Sequence, residues 1–373
     1  MNEKYIKAKE FGFKNLEPYS KAVDIEGRFP IEGYKSMQNE GYFSLLVPKE
    51  YGGQGENLLA HAEICLGLSE SCPSAALAYM MHNTATRAMA LYGQEDIKKE
   101  ILKKVVAKEV TLGLAYSERG TGAHFYIPDA TSKDDGDHVI LNGVKSMVTG
   151  AGFVDYFLTL VKAEEDDSLH VYAVPTNIDG VDFEEGVWDG VGLRGNESKP
   201  MIMKNARVSK DLELKNIGDE DKEIFLIGLA SVSAGLAQRA ADEVAAYVQK
   251  REYTHAKNLA DIESVQVNLG SMYAKAFSAR ETILAAARLA DLSPLGAFPE
   301  LFSARIVSTE AALDNAVDGM RAFGGKGYVR HDLVMERIMR DSFAGQIMAP
   351  GTDVLKIWLG RMLVGLNYID IFK

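Results

Sequence analysis

The chain has 373 residues, 47% of them apolar and 25% charged, with a formal net charge of -12. That length supports a substantial core in one large or two to three small domains, and the composition is that of an ordinary globular enzyme. The acidic balance makes nucleic acid and anionic membrane surfaces poor partners by long-range electrostatics.

The two cysteines, Cys65 and Cys72, have no metal-type spacing and read as reduced thiols, and no metal site is expected. The first residues, MNEKYIKAKEFGF, lack an apolar signal core and are too acidic for a transit peptide. No apolar run is read as membrane-spanning, so the expected location is cytoplasmic.

Residues 1–110 read as helical, punctuated at Pro18, Pro30 and Pro48. Gly52-Gly53-Gln54-Gly55 lacks the following Lys-Ser/Thr and the strand-to-helix setting of a phosphate loop, so it reads as a structural turn. In the next helical stretch the small residues Ala75, Ala76 and Ala78 admit a close neighbour or a ligand. Tyr79 and His82 lie three apart, hence on one face. A core pair and a pocket wall fit that spacing equally well.

From about residue 111 the periodicity changes. An apolar strand (residues 112–116) runs into Ser117-Glu118 and a glycine turn, Gly120-Thr121-Gly122. Residues 138–141 form a second strand that is expected to reverse at Asn142-Gly143, a dipeptide suited to two-residue hairpins. It returns as Lys145-Ser146-Met147-Val148-Thr149-Gly150. Residues 156–161, 170–174 and 201–203 add further strands, the mark of an all-β domain. Asp134-Asp135-Gly136-Asp137 lacks the later Gly and distal Glu of a calcium loop and reads as a solvated hairpin tip. From about residue 213, Ala-rich amphipathic runs over residues 223–250, 262–290 and 301–324 suit an antiparallel bundle.

Several of these stretches, in this order, resemble the acyl-CoA dehydrogenase superfamily. Pro48-Lys49-Glu50-Tyr51-Gly52-Gly53-Gln54-Gly55 matches its P-x-x-Y-G-G-x-G run. Ser117-Glu118-Arg119-Gly120-Thr121-Gly122 and Lys145 to Gly150 match the two segments that wall the flavin. Asp189-Gly190-Val191-Gly192-Leu193-Arg194-Gly195 is similar to the loop that closes the β domain. Gly235-Leu236-Ala237-Gln238-Arg239-Ala240, Arg251-Glu252-Tyr253 and Phe323-Gly324-Gly325-Lys326-Gly327-Tyr328 continue the likeness to the end of the chain.

The resemblance implies an α+β multidomain fold: an N-terminal helical domain (1–110), a central β-barrel domain (111–212) and a C-terminal four-helix bundle (213–373). It implies FAD held by Leu114, Tyr116, Ser117, Gly122, Ala123, Met147, Val148 and Thr149. Arg251 would reach the diphosphate of a neighbouring subunit's FAD in a homotetramer, Gly324 and Gly325 its adenine-side diphosphate with Arg321 adding charge nearby, and Tyr253 and Thr352 would also bind FAD. Arginine forks and a glycine-flanked helix end suit a diphosphate on physical grounds as well. The implied partners are an acyl-CoA thioester and an electron-transfer flavoprotein. Ala75, Tyr79, Arg87, Ala349 and Gly351 would line the acyl pocket, with Tyr79 shortening it for a short or compact acyl group.

The departure from the family lies at Ile347-Met348-Ala349-Pro350-Gly351-Thr352. Pro350 stands where the family carries the Glu that removes the α-proton, and neither neighbour restores a carboxylate. A branched- and long-chain subset places that Glu on the first helix of the bundle, at the position of Phe225. Glu223 lies two residues away, about 200° around a helix. Ala123-His124 and Met147 also replace usual family residues. Three readings follow: a non-standard base, with His82 or Glu223 as candidates; a flavin-dependent lyase or monooxygenase, for which Arg87 suits an anionic acyl tail; or a relative without activity. A neutral imidazole is competent as a base near pH 7. Dehydrogenation of a short or compact acyl-CoA is the reading carried forward.

Overall fold

A computed structural model describes residues 3–122, 126–252 and 258–368. Helices occupy its first hundred residues: α1 (Glu3–Asn15), α2 (Glu17–Glu26), α3 (Ile31–Glu40), α4 (Leu58–Ser69), α5 (Pro73–Tyr92) and α6 (Glu95–Val106). Local chemistry sets their ends. Gly27 and Gly41 close α2 and α3 in the left-handed region, at φ 61° and 88°. The Asn57 side chain caps α4 by accepting from the Ala60 N–H at 3.0 Å. Pro73 opens α5 at a position whose N–H has no helical acceptor.

The middle of the chain is a sheet of eight strands: β1 (Leu112–Ala115), β2 (Thr131–Asp135), β3 (His138–Val148), β4 (Tyr156–Ala163), β5 (Leu169–Pro175), β6 (Val181–Phe183), β7 (Lys199–Ser209) and β8 (Glu213–Leu214). Its order is β6-β7-β3-β2-β4-β5-β8, with β1 parallel to β4. The two ends of that order do not pair, so the expected barrel is corrected to an open sheet. The hairpin expectation is also corrected. β3 runs straight through Asn142-Gly143, and the reversal falls at Gly136-Asp137, between Asp135 and its partner His138. Asn142 and Gly143 form an irregularity in the β3–β7 ladder instead. The Asn142 Oδ1 accepts from the Asn205 N–H at 2.8 Å. Gly143, at φ 141°, leaves room for Ala130, which a Cβ would approach to 2.5 Å.

The last third comprises α7 (Glu220–Lys250), α8 (Glu263–Leu292), α9 (Phe298–Phe323), a single turn α10 (Gly325–Tyr328), α11 (Val334–Ile347) and α12 (Thr352–Leu363). α7 is long and apolar enough to cross a bilayer, contrary to the expectation of no such run, but 94% of its apolar window is buried inside the fold. Its Ala- and Gly-rich faces let α4, α5, α8 and α9 pack closely around it. One large apolar cluster joins α1, α4, α5 and the bundle. A second fills the sheet, and a third fastens β1, β4 and β5 to α5 and α6.

A buried ion pair ties the exit of β1 to β3. Glu118, just past β1, meets Lys145 of β3, with side-chain exposures of 4% and 0%. The other bonds of Glu118 are equally internal: Oε2 accepts from Asp129 N–H at 2.7 Å and Oε1 from Ala130 N–H at 3.1 Å. Burial pushes the Lys145 ammonium below its ordinary pKa, against the pull of Glu118. Deleting one partner strands a charge without water. Glu118→Ala should therefore cost about 3–5 kcal/mol in urea unfolding, and adding Lys145→Met should recover part of that loss. A double variant less stable than the single one would contradict this role.

Candidate active site

Where the sheet meets the bundle lies a cavity of about 630 Å³. On one wall stand Leu114, Tyr116 and Ser117 from the end of β1, with Ser146 and Met147 from β3. These segments are stitched together by the Ser146 N–H, which donates to the Ser117 carbonyl at 2.8 Å. Immediately beyond, the β3–β7 register shifts between Lys145 and Val148, and Met147 takes φ 54°. A left-handed methionine is uncommon and needs a surrounding that holds it. The shift turns Met147 out of the sheet, 60% exposed at the cavity edge, while Val148 stays in the sheet interior. Thr149 is buried too, 3.4 Å from the Ser198 hydroxyl.

The opposite wall is apolar and aromatic. Met81 and Thr84 reach it from α5, and Phe225 and Leu226 from α7. Phe298, Phe302, Trp358 and Tyr368 form its end, with ring centroids 5.5–6.1 Å apart in successive pairs. Ala349 and Pro350 complete it at the turn between α11 and α12.

Three carboxylates line this space, and their surroundings differ. Glu213 is bonded to His170 at 2.7 Å and to Lys215; although burial pushes it up, these partners hold it below the usual carboxylate range. Asp219 pairs with Lys222. Asp221, in the first turn of α7, is buried, and among the described residues its Oδ1 has no hydrogen-bond partner. Burial raises its pKa to about 6, against a small opposing pull from Lys222.

The two expected bases stand outside the lining of this cavity. His82 is fully buried, with Nε2 3.0 Å from the Phe43 carbonyl and 3.2 Å from the Thr86 hydroxyl, and Nδ1 accepting from the Leu112 N–H at 3.0 Å. It fastens α5 to β1 and does not line the cavity. The Glu223 Oε1 accepts from the Leu295 N–H at 2.8 Å, which binds the loop between α8 and α9. Tyr79 packs on His61, 3.2 Å from its Nδ1, and Ala75 is wholly buried; neither they nor Arg87 line the cavity. The Thr352 hydroxyl turns into the bundle, 3.3 Å from that of Thr309, and Gly351 caps α12 beside the cavity rather than in its wall. Ala123 and Tyr253 fall outside the described residues.

At the far end of α9, Gly324 adopts φ 60°, and Cβ atoms built on Gly324 and Gly325 would meet no heavy atom within 4 Å. Arg321 is 75% exposed one turn earlier, tethered to Asp318 at 3.2 Å. An open glycine cradle beside an exposed guanidinium fits a diphosphate. Gly122, at φ 53°, is similarly open beside the β1 end of the cavity. The residues present on both sides therefore fit FAD.

The architecture is helical, then sheet, then helical, with the cavity at the junction. It matches the acyl-CoA dehydrogenase family models: the N-terminal domain over residues 6–109, the middle domain over 113–206 and the C-terminal domain over 227–361. The chain belongs to the acyl-CoA dehydrogenase family. It is 28% identical over 344 residues to a 3-(aryl)acrylate reductase of Clostridium sporogenes, covering 90% of each chain. Among solved structures, a glutaryl-coenzyme A dehydrogenase in complex with glutaryl-CoA superposes with a TM-score of 0.92 at 21% identity, over 99% of this chain and 97% of that one. A glutaryl-CoA dehydrogenase of Mycobacterium smegmatis in complex with FADH2 gives 0.89 at 19% identity, over 98% and 95%.

Sequence reasoning missed Asp221 and the aromatic end. Asp221 had a signal: it lies four residues before Phe225, hence on the same helical face. The four rings come from segments distant in sequence and had none.

Burial lowers the pKa of His82 to about 4 and that of His61 to about 3. Both imidazoles stay neutral in the fold but take up a proton once unfolded. Stability should thus fall as pH drops from about 6.5 towards about 4, with the sign set by greater proton uptake in the unfolded chain. His82→Ala should cost about 2–4 kcal/mol by orphaning the Leu112 N–H and opening a void. The folded fraction should keep its flavin reduction rate within about threefold, since no transition-state contact is lost. Abolished reduction in folded, flavin-bearing protein would return His82 to the chemistry.

Proposed function

We propose that the protein is an FAD-dependent oxidoreductase that interconverts a compact acyl thioester, carried by CoA, and its α,β-unsaturated form. The observation that carries this reading is the shared cavity. Residues matched to the family's flavin edge line it together with a cluster of apolar and aromatic side chains. FAD, when bound, supplies two-electron chemistry there. The chain's own residues do the remainder: the apolar walls exclude water, and the β1–β3 edge offers backbone and hydroxyl groups to the ring and to the thioester carbonyl. A volume of about 630 Å³ that must also admit the ring edge leaves room for a compact acyl group.

The four rings at the pocket end favour a flat or aryl acyl tail, since offset and edge-on aromatic contacts add to simple burial. The similarity to a 3-(aryl)acrylate reductase is consistent with that preference. Electrons would be exchanged with an electron-transfer flavoprotein. We also propose a homotetramer whose neighbours share the diphosphate. Large exposed apolar residues on the bundle, among them Val267 at 74%, Tyr328 at 84% and Ile347 at 70%, support a buried partner face.

The test is anaerobic mixing of the purified flavoprotein with saturated thioesters. The oxidised flavin band should bleach, and 3-phenylpropanoyl-CoA should act at least about tenfold faster than butyryl-CoA, the scale of a filled pocket. Product release without bleaching would replace this reading with a lyase. Product that requires oxygen would replace it with a monooxygenase.

A further inference from the structure

A proline in the family's base position leaves the α-proton without an acceptor, yet the cavity does hold a carboxylate with one oxygen unpartnered among the described residues. Of the three acids in its wall, Glu213 and Asp219 are ion-paired. Asp221 is 93% removed from solvent by its 7% exposure, and among the described residues its Oδ1 meets no donor. A buried, unsatisfied carboxylate oxygen is costly, and such a group persists where a ligand or a reaction needs it. Asp221 shares the α7 face with Phe225, one turn on, and both line the cavity with Pro350 and Tyr116. The two other acids of that first turn are engaged elsewhere: Glu220 accepts from Tyr92, and Glu223 from the loop after α8.

On the reading given above, we propose that Asp221 is the catalytic residue that exchanges a proton with the α-carbon of the thioester, in place of the carboxylate that Pro350 lacks. In dehydrogenation the α C–H bond breaks and its proton passes to an Asp221 oxygen. The electron pair left behind becomes the Cα–Cβ π bond, while the β hydrogen departs as hydride to the bound flavin, the two-electron acceptor. In the reverse direction the protonated acid returns its proton to Cα as hydride arrives at Cβ. A base whose pKa stands about 6 serves both directions near neutrality, because each protonation state is populated.

Several groups face Asp221. Asp219, Glu220 and Lys222 adjoin it on its own turn; Tyr116 lies at the end of β1 and Tyr92 at the end of α5. Glu213, Lys215, His170, Tyr126 and Tyr368 line the same cavity.

The experiment follows deuterium uptake at Cα of 3-phenylpropanoyl-CoA by mass spectrometry, with the holoenzyme in D2O, alongside single-turnover flavin reduction. Asp221→Asn should retain flavin and bind thioester within about threefold, yet lose at least about a hundredfold in both rates, the usual scale of general acid–base catalysis. In Asp221→Ala, added formate should restore part of the exchange, which a merely structural role would not allow. Exchange and reduction within threefold of wild type in Asp221→Asn would overturn the proposal while leaving the proposed function intact. A wild-type protein that neither exchanges nor is reduced by any thioester would overturn both. If the variants do not hold flavin, the wild-type profile decides: exchange must rise with pH through an ionisation near 6, and a rate flat from about pH 5 to 8 overturns the assignment.

Discussion

A carboxylate and an ammonium, both withdrawn from water, hold the cavity edge in shape. Glu118 and Lys145 lie at the ends of strands far apart in sequence, and their contact sets how the β1 exit sits against β3. The Ser146–Ser117 bond and the left-handed Met147 depend on that placement. Ion pairs at such depth contribute little to net stability once desolvation is counted, but removing either half is severe. The pair therefore acts chiefly by fixing geometry.

Desolvation also separates the acids of the α7 entrance. Glu220, Asp221 and Glu223 occupy the first turn, where the helix dipole favours negative charge. Tyr92 and the Leu295 amide satisfy two of them, while the third is buried at the cavity and is pushed upward in pKa. Elementary geometry sorts them: residues one or two apart on a helix point in different directions. A position two residues from Phe225 could not reach the cavity, whereas one four residues away does.

Much of the fold was legible because periodicity reports burial. The change from helical to strand patterning near residue 111 fits β1, which ends within one residue of its expected limit, whereas the return to helix expected near 213 comes only at Glu220, after β8. Asn142-Gly143 misled because the same two residues suit a hairpin turn and a bulge; only the tertiary contacts of Gly143 with Ala130 and of Asn142 with Asn205 distinguish them. The surroundings of His82 were hidden for a related reason. Its face was foreseen, but the Leu112 amide and Phe43 carbonyl that occupy its nitrogens come from distant segments. Sheet closure depends on pairing between the outermost strands, which no local pattern encodes.

The claim on which this account rests is that the buried first turn of α7 meets the reacting carbon. A crystal structure of the holoenzyme bound to a 3-thia analogue of the aryl thioester would test it most directly. The account predicts an Asp221 oxygen within about 3.5 Å of the analogue's α-carbon, the distance of a near-attack arrangement. An α-carbon lying against Pro350 with the Asp221 carboxylate more than about 6 Å away, beyond proton-transfer reach even through one water, would contradict it.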